Sequence, residues 1–424
     1  MRLGATANIL ADQFRSRSLK EIYWAANQNR VRLSRLLRGE NHAFRTLFLR
    51  DLTQFLFGMT HPILGETRER TIAAVDWILR AQDASGDGGV SLGYFPCDEQ
   101  GGWKVSYPET TGYIITSLLE YASRFGEHSV RERALRMARW ETEIQMASGA
   151  VQGGPVCLPD KQTPTAFNTG MVLDGWTSAY KLTRDPLILE AGKRAANWLV
   201  NDLTDEGYFR TNGKFVAPDV IKTYNSLCAW ALYRFAEFIS DSSYCDAALT
   251  IIDAALRQQK PNGWFANNCL SRPEAPLLHT IGYTLQGTLE VGILAGRAAY
   301  VEAVSRGVTP LLERISKRGL LPGQFFSDWS PACFSSCLTG SAQLAIVCYR
   351  MFEHTGQRTY FVSAEKLLNG LKALQRLNLP NPALNGALSG SFPLFGTYMT
   401  AGYPNWATKY FLDALLLQDR LGTS

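Results

Sequence analysis

Residues 111–125, TGYIITSLLEYASRF, read as a helix with no face turned to water. Apolar side chains point in nearly every direction around its 3.6-residue turn, as in a helix enclosed by others. The run opens on a small-residue and aromatic motif, Thr111-Gly112-Tyr113, and the chain repeats that device. Thr169-Gly170-Met171 precedes VLDGWTSAYKLT, and Thr223-Tyr224-Asn225 precedes SLCAWALYRFAEF. Thr280-Ile281-Gly282-Tyr283 precedes TLQGTLEVGIL, Thr339-Gly340-Ser341 precedes AQLAIVCYRMFE, and Pro404-Asn405-Trp406 precedes ATKYFLDALLLQ. With positions 112, 170, 224, 282, 340 and 405 taken as equivalent, successive copies lie 58, 54, 58, 58 and 65 residues apart. Such a period marks a repeat architecture.

Amphipathic helices fill the intervals, among them RERTIAAVDWILRAQD (68–83), VRERALRMARWETEIQMA (130–147), LILEAGKRAANWLVND (187–202) and YCDAALTIIDAALRQQ (244–259). Gly-centred turns follow several of them, at Gly88-Gly89, Gly153-Gly154, Gly207 and Gly263. The unit is therefore an outer amphipathic helix, a glycine turn, a loop and an inner apolar helix. Six units close into an all-α (α/α)6 toroid, in which every apolar face is covered. A linear solenoid would need polar caps, whereas the last helix here ends in the apolar run DALLLQ. The expected division is a helical N-terminal extension over 1–60 and the toroid over 61–424.

The chain has 424 residues, 46% hydrophobic and 19% charged, enough apolar material for one large core. Residues 1–50 hold ten Arg/Lys against three Asp/Glu, while the remainder holds 33 against 35. The main body is thus no polyanion binder, and nucleic acid is not an expected partner. The basic N-terminal 50 residues are the candidate contact for a membrane surface or a biosynthetic complex. No apolar stretch of transmembrane length and no secretory signal pattern is apparent, and the eight cysteines lack any CxxC pairing. The expectation is a cytoplasmic protein with free, mostly buried thiols. Neither a phosphate loop, GxGxxG, HExxH nor a Cys/His zinc pattern occurs, so no metal or cofactor is expected.

In a toroid the loops before the inner helices converge on one end of the central cavity, with free N–H groups and positive dipole ends. The residues expected there are polar and aromatic. Glu109, Asn168, His279, Tyr283 and Tyr403 are the candidate catalytic set, each at or just inside the start of an inner helix. Trp103, Tyr107, Tyr113, Lys222, Tyr224, Asn225, Arg272, Trp329, Gln343, Asn405, Trp406 and Lys409 are candidate substrate contacts. Flat rings beside amides and hydroxyls suit an oligo- or polysaccharide. Hydrolysis with two carboxylates would use Glu109 and a second acid, Asp174 or Asp328. A Tyr proton carrier would need a cation such as Lys222, Arg272 or Lys409 to lower its pKa.

The segments SYPETTGYI (106–114), FNTGMVLDGW (167–176), LHTIGYTLQGTLE (278–290), CLTGSAQLAI (337–346) and YPNWATKYFLDAL (403–415) resemble the six-hairpin glycosidase superfamily. They are similar, more closely, to bacterial toroid proteins of surface-polysaccharide synthesis. WILRAQDASGDGG (77–89) and residues 165–182 resemble the helical domain of glucuronyl C5-epimerases, which implies uronate chemistry. Toroidal polysaccharide lyases hold a uronate carboxylate with Asn and move protons with a His/Tyr pair. That resemblance in residue types implies such roles for Asn168, His279 and Tyr283. The leading reading is a uronate-type polysaccharide lyase or C5-epimerase. The alternatives are a glycoside hydrolase with Glu109 as acid/base, and a non-catalytic glycan-binding protein of polysaccharide biosynthesis.

Overall fold

A computed structural model describes residues 19–57, 66–213, 220–270 and 272–422. The first 18 residues of the basic arm and the expected boundary at residue 60 lie outside the described residues. Two helices, α1 (Leu19–Leu36) and α2 (His42–Phe57), precede six hairpins. The outer helices are α3 (Thr67–Ser85), α5 (His128–Glu143), α7 (Pro186–Asp202), α9 (Ser242–Arg257), α11 (Ala298–Leu312) and α13 (Arg358–Leu374). The inner helices are α4 (Pro108–Phe125), α6 (Ala166–Thr183), α8 (Ser226–Ile239), α10 (Leu278–Leu294), α12 (Leu338–Thr355) and α14 (Asn405–Gly422). Each inner helix turns back into the next outer helix through two or three residues, whereas each passage from outer to inner runs through a long loop.

The apolar-all-round runs form the inner wall because both their faces are covered. α10 has an unbroken buried stretch from Leu278 to Gly292, and Trp77, Trp176, Tyr349 and Tyr410 are wholly enclosed. Small residues let neighbouring inner helices approach closely. A Cβ on Gly112 would fall 2.5 Å from the Cα of Val172, and one on Gly287 would fall 2.1 Å from the backbone of Ser226. The ring closes where α14 packs against α3 and α4. At that seam Gly386 adopts φ +86°, and a side chain there would meet the Ala73 carbonyl at 2.2 Å.

The six equivalent positions share one end. Gly112 abuts Val172, Gly170 abuts Cys228, Gly282 abuts Gln343 and Gly340 abuts Leu278. Rings of Tyr224 and Tyr283 both meet Phe167, and Asn405 donates to Thr110 at 2.7 Å. The only regular pairing among the described residues ties loops at this same end. β1 (Gly93–Tyr94) pairs antiparallel with β4 (Tyr403–Pro404), and β2 (Ser336–Cys337) pairs with β3 (Ser391–Phe392).

The N-terminal extension braces the last of these loops. Asp51 of α2 accepts the backbone N–H of Leu394 at 2.6 Å, and Arg376 donates to Gln54 at 2.6 Å. Phe55 packs edge-on against Phe334, Phe392 and Phe395. Among the described residues no helix is long and apolar enough to cross a membrane. All eight cysteines are free, and six of them are buried.

Candidate active site

Because the inner helices run parallel, their first turns surround one opening. The cavity there measures about 480 Å³. Tyr107 and Glu109 come from the start of α4, Phe167 and Asn168 from α6, and Tyr224 from the turn before α8. His279 and Tyr283 come from α10 and Trp406 from α14. The candidates Glu109, Asn168, His279, Tyr283, Tyr107, Tyr224 and Trp406 thus share one cavity.

Glu109 is the one carboxylate among the described lining residues. Its Oε2 accepts a hydrogen bond from the Tyr107 hydroxyl at 3.0 Å. Loss of water around it pushes its carboxyl up to about 7, against the lowering effect of that hydrogen bond. The side chain is therefore poised between acid and base near neutrality. Asn168 donates to the Gln152 carbonyl at 3.0 Å, which anchors its amide at the cavity wall.

His279 and Tyr283, four residues apart, lie on one face of α10 with ring centroids 4.3 Å apart. His279 Nδ1 lies 2.9 Å from Gln343 Oε1, which orients the ring from below. Burial drives the imidazole down to about 4, so it is neutral at physiological pH. Tyr283 sits beside Tyr410, which in turn packs against Tyr113, with centroids 6.0 and 5.5 Å apart. These phenols form a layer across the ring axis, and burial raises all three well above the usual tyrosine range.

Other candidates lie elsewhere, for identifiable reasons. Tyr403 is in β4, opposite Tyr94, and its ring packs against Phe44 of α2 rather than facing the cavity. Asn405 caps backbone, donating to the Ser91 carbonyl at 2.8 Å as well as to Thr110. Asn225 reaches the cavity wall only through Asn212, at 3.4 Å. Lys222 is buried beside Cys269, and Arg272 pairs with Glu274 at 3.0 Å on the surface. Trp329 packs against Trp264 with centroids 5.1 Å apart and donates to the Asn262 carbonyl. Trp103 packs on Trp77 and Tyr94 and faces a separate cleft. Gln343 lies beneath the cavity under His279, and Tyr113 belongs to the phenol layer itself, on the side that faces the space beyond it.

Lys409 is on the far side of that layer, 4.1 Å over the Tyr410 ring and paired with Asp413 at 2.7 Å. Burial nevertheless holds every phenol of the layer well above the usual tyrosine range. Of the two candidate second acids, Asp174 is midway along α6, where it lines the separate cavity beyond the phenol layer and is ion-paired with Arg234. Six residues separate it from Asn168, about 9 Å of helix. Asp328 is exposed in a loop, where it caps Ser330.

Several lining residues carried no sequence signal. Lys161, Thr163 and Thr165 come from the loop before α6, Asn212 from the loop before α8, and Tyr398 and Met399 from the loop before α14. Tyr398 is set by Trp406, whose indole N–H donates to its hydroxyl at 2.7 Å.

No family model matches the sequence, and no curated relative matches it. Solved structures do match. An unsaturated glucuronyl hydrolase specific for heparin superposes with a TM-score of 0.67 at 17% identity, over 84% of this chain and 98% of that one. The unsaturated glucuronyl hydrolase of Bacillus sp. GL1, responsible for the degradation of glycosaminoglycan, gives 0.67 at 15% identity, over 84% and 97%. That of Streptococcus agalactiae gives 0.64 at 13% identity, over 86% and 94%. The chain has the six-hairpin toroid fold of these enzymes. At such identity the likeness speaks for the fold, and the chemistry must come from the cavity.

Proposed function

We propose that this protein is a saccharide hydrolase of the single-acid kind, acting on the end of an unsaturated uronide, with Glu109 as its acid and base. The observation that carries this reading is the cavity at the inner-helix N-termini with one desolvated carboxylate among its described residues. Ordinary glycoside hydrolysis places two carboxyl groups about 5–10 Å apart across the bond. An unsaturated uronide needs only one. Its enol-ether double bond accepts a proton on carbon from the Glu109 carboxyl, leaving an oxocarbenium ion. Water then adds to that ion and returns a proton to the carboxylate. The hemiketal so formed opens and releases the next sugar, with one water consumed.

Tyr107 holds Glu109 in place. Neutral His279, Asn168 and the hydroxyl-bearing wall can bond the sugar rim, and Trp406 and Tyr224 supply flat apolar faces. Lys161 is a cation on the same wall, suited to the uronate carboxylate. The fold neighbours, which are unsaturated glucuronyl hydrolases, add support by analogy.

Elimination or C5 epimerisation is the weaker reading. Both need a base strong enough to take a carbon-bound proton. Burial lowers His279 to about 4 and raises Tyr283, so neither is activated. One assay separates the readings: the conjugated uronate absorbs in the ultraviolet. Lyase-generated unsaturated disaccharides should lose absorbance with the wild-type protein and keep it with Glu109→Gln. Intact polyuronate gaining absorbance would instead establish a lyase, and no change with any unsaturated disaccharide would refute the hydrolase.

A further inference from the structure

The opposite mouth of the ring holds a second cavity, about 310 Å³, walled by all six inner helices. Glu120 on its rim is eleven residues beyond Glu109 along α4, about 16 Å down the axis. The phenol layer of Tyr113 and Tyr410 separates it from the cavity above. Its charges are balanced internally. Arg350 grips both oxygens of Glu290, at 2.7 and 2.9 Å, Lys409 meets Asp413, and Arg234 meets Asp174. A walled cavity of paired charges has no surplus with which to draw an ion.

Two of its lining side chains carry a buried polar atom with no hydrogen-bond partner among the described residues, Tyr113 in the phenol layer and Gln286 on the wall. Gln286 of α10 is only 6% exposed and lines the cavity, yet its Oε1 has no hydrogen-bond partner among the described residues. A buried acceptor left unpaired costs about 1–3 kcal/mol, so it is a position where a donor from outside is favoured. Beside it, half-buried Trp230 lines the same wall, with the Arg234 guanidinium over one face of its indole, 5.3 Å from the ring centroid, and the other face left for a ligand. An unpaired acceptor, further hydroxyl and carboxylate acceptors in ion pairs, and an aromatic face together match a neutral ligand rich in hydroxyl donors. The volume lies at the small end of ligand pockets, about 300–1,000 Å³.

We infer that this lower well is a second, non-catalytic binding site for a single neutral sugar unit, held by Gln286 and Trp230. It is independent of the hydrolysis assigned to the upper cavity. The test is calorimetric titration of the full chain with methyl glucoside and methyl galactoside, with glucuronate and glucosamine as charged comparisons.

Millimolar binding of a neutral glycoside is expected, weakened at least tenfold by Gln286→Leu and by Trp230→Ala, and unaltered by Glu109→Gln. Trp230 is on the wall rather than in the core, so its variant keeps the test open where Gln286→Leu fails to fold. Binding that survives both lower-well variants, or that Glu109→Gln abolishes, would place the sugar in the upper cavity and overturn the inference. So would the absence of heat with both glycosides, or a preference for the charged sugars.

Discussion

Replacing Glu109 by Gln should make the protein more stable as well as inactive, and the gain should grow with pH. Unfolded, this carboxyl loses its proton near 4.5; folded, desolvation holds it until about 7. Between those values the native state carries more protons than the unfolded chain, so wild-type stability falls as pH rises through the window and levels off above it. At about 1.4 kcal/mol per unit, the shift costs up to about 3 kcal/mol once the group is ionised. Gln fills nearly the same volume, accepts the Tyr107 hydroxyl bond equally well and has no proton to lose. The penalty is therefore absent from the variant at high pH and was never present in the wild type at low pH. An unfolding entropy of about 2.1 cal/mol/K per residue gives about 0.9 kcal/mol/K for 424 residues, so the Tm difference should reach about 3 °C. Scanning calorimetry of both proteins from pH 4.5 to pH 8, with the difference plotted against pH, isolates this one group. A Tm difference that is flat with pH, or negative at pH 8, would show that Glu109 is not desolvated and would remove the basis for its role as an acid at neutrality.

Asp51→Ala should cost about 1–3 kcal/mol in urea denaturation at pH 4, because the Leu394 N–H would lose its buried acceptor, and the cost should shrink toward pH 7, because burial raises the Asp51 carboxyl to about 7; hydrogen exchange at Leu394 should quicken. Arg350→Met should cost about 3–5 kcal/mol by leaving Glu290, 5% exposed, without its partner, and Glu290→Gln in the same chain should recover much of the loss. Gln343→Leu should leave the Tm within a few degrees but release His279 Nδ1, seen as a changed imidazole tautomer ratio by nitrogen NMR; an unchanged ratio would mean that the Gln343 contact does not orient the ring. Trp176→Ala should cost about 3–5 kcal/mol, since the indole is wholly enclosed between α6 and α5 and also donates to Thr142.

The toroid was legible because its inner helices break the usual rule for a surface helix. A run such as Leu278–Gly292, buried on every side, can only exist inside a second layer, and six such runs at a near-constant spacing leave few arrangements other than a ring. The glycine at 112, 170, 282 and 340 was legible as a landmark, and its cause emerges from the packing: neighbouring inner helices touch there, and a side chain would strike the next backbone. The role of residues 42–57 was not legible. Helical periodicity shows that α2 exists, but only the contacts of Asp51, Gln54 and Phe55 show that it holds the loop bearing Tyr398 against the upper cavity.

At the site, the residues that proved convergent are those for which helix geometry alone sets direction. Glu109, Asn168 and His279 all lie in the first turn of an inner helix, where a side chain on the axial face has nowhere to point but the opening. The same logic fails one position either side of a bridge or a cap. Tyr403 is turned outward by its register with Tyr94, because alternate residues in paired strands face opposite ways. Asn405 spends its amide on the Ser91 carbonyl, an unmet backbone acceptor that no periodicity announces. Lys161, Asn212 and Tyr398 sit in loops of irregular backbone, whose paths depend on contacts far away in sequence. The mechanistic weight therefore rests where local geometry and burial coincide. A first-turn glutamate, half-buried in the cavity wall, is raised toward neutrality without needing a second acid beside it.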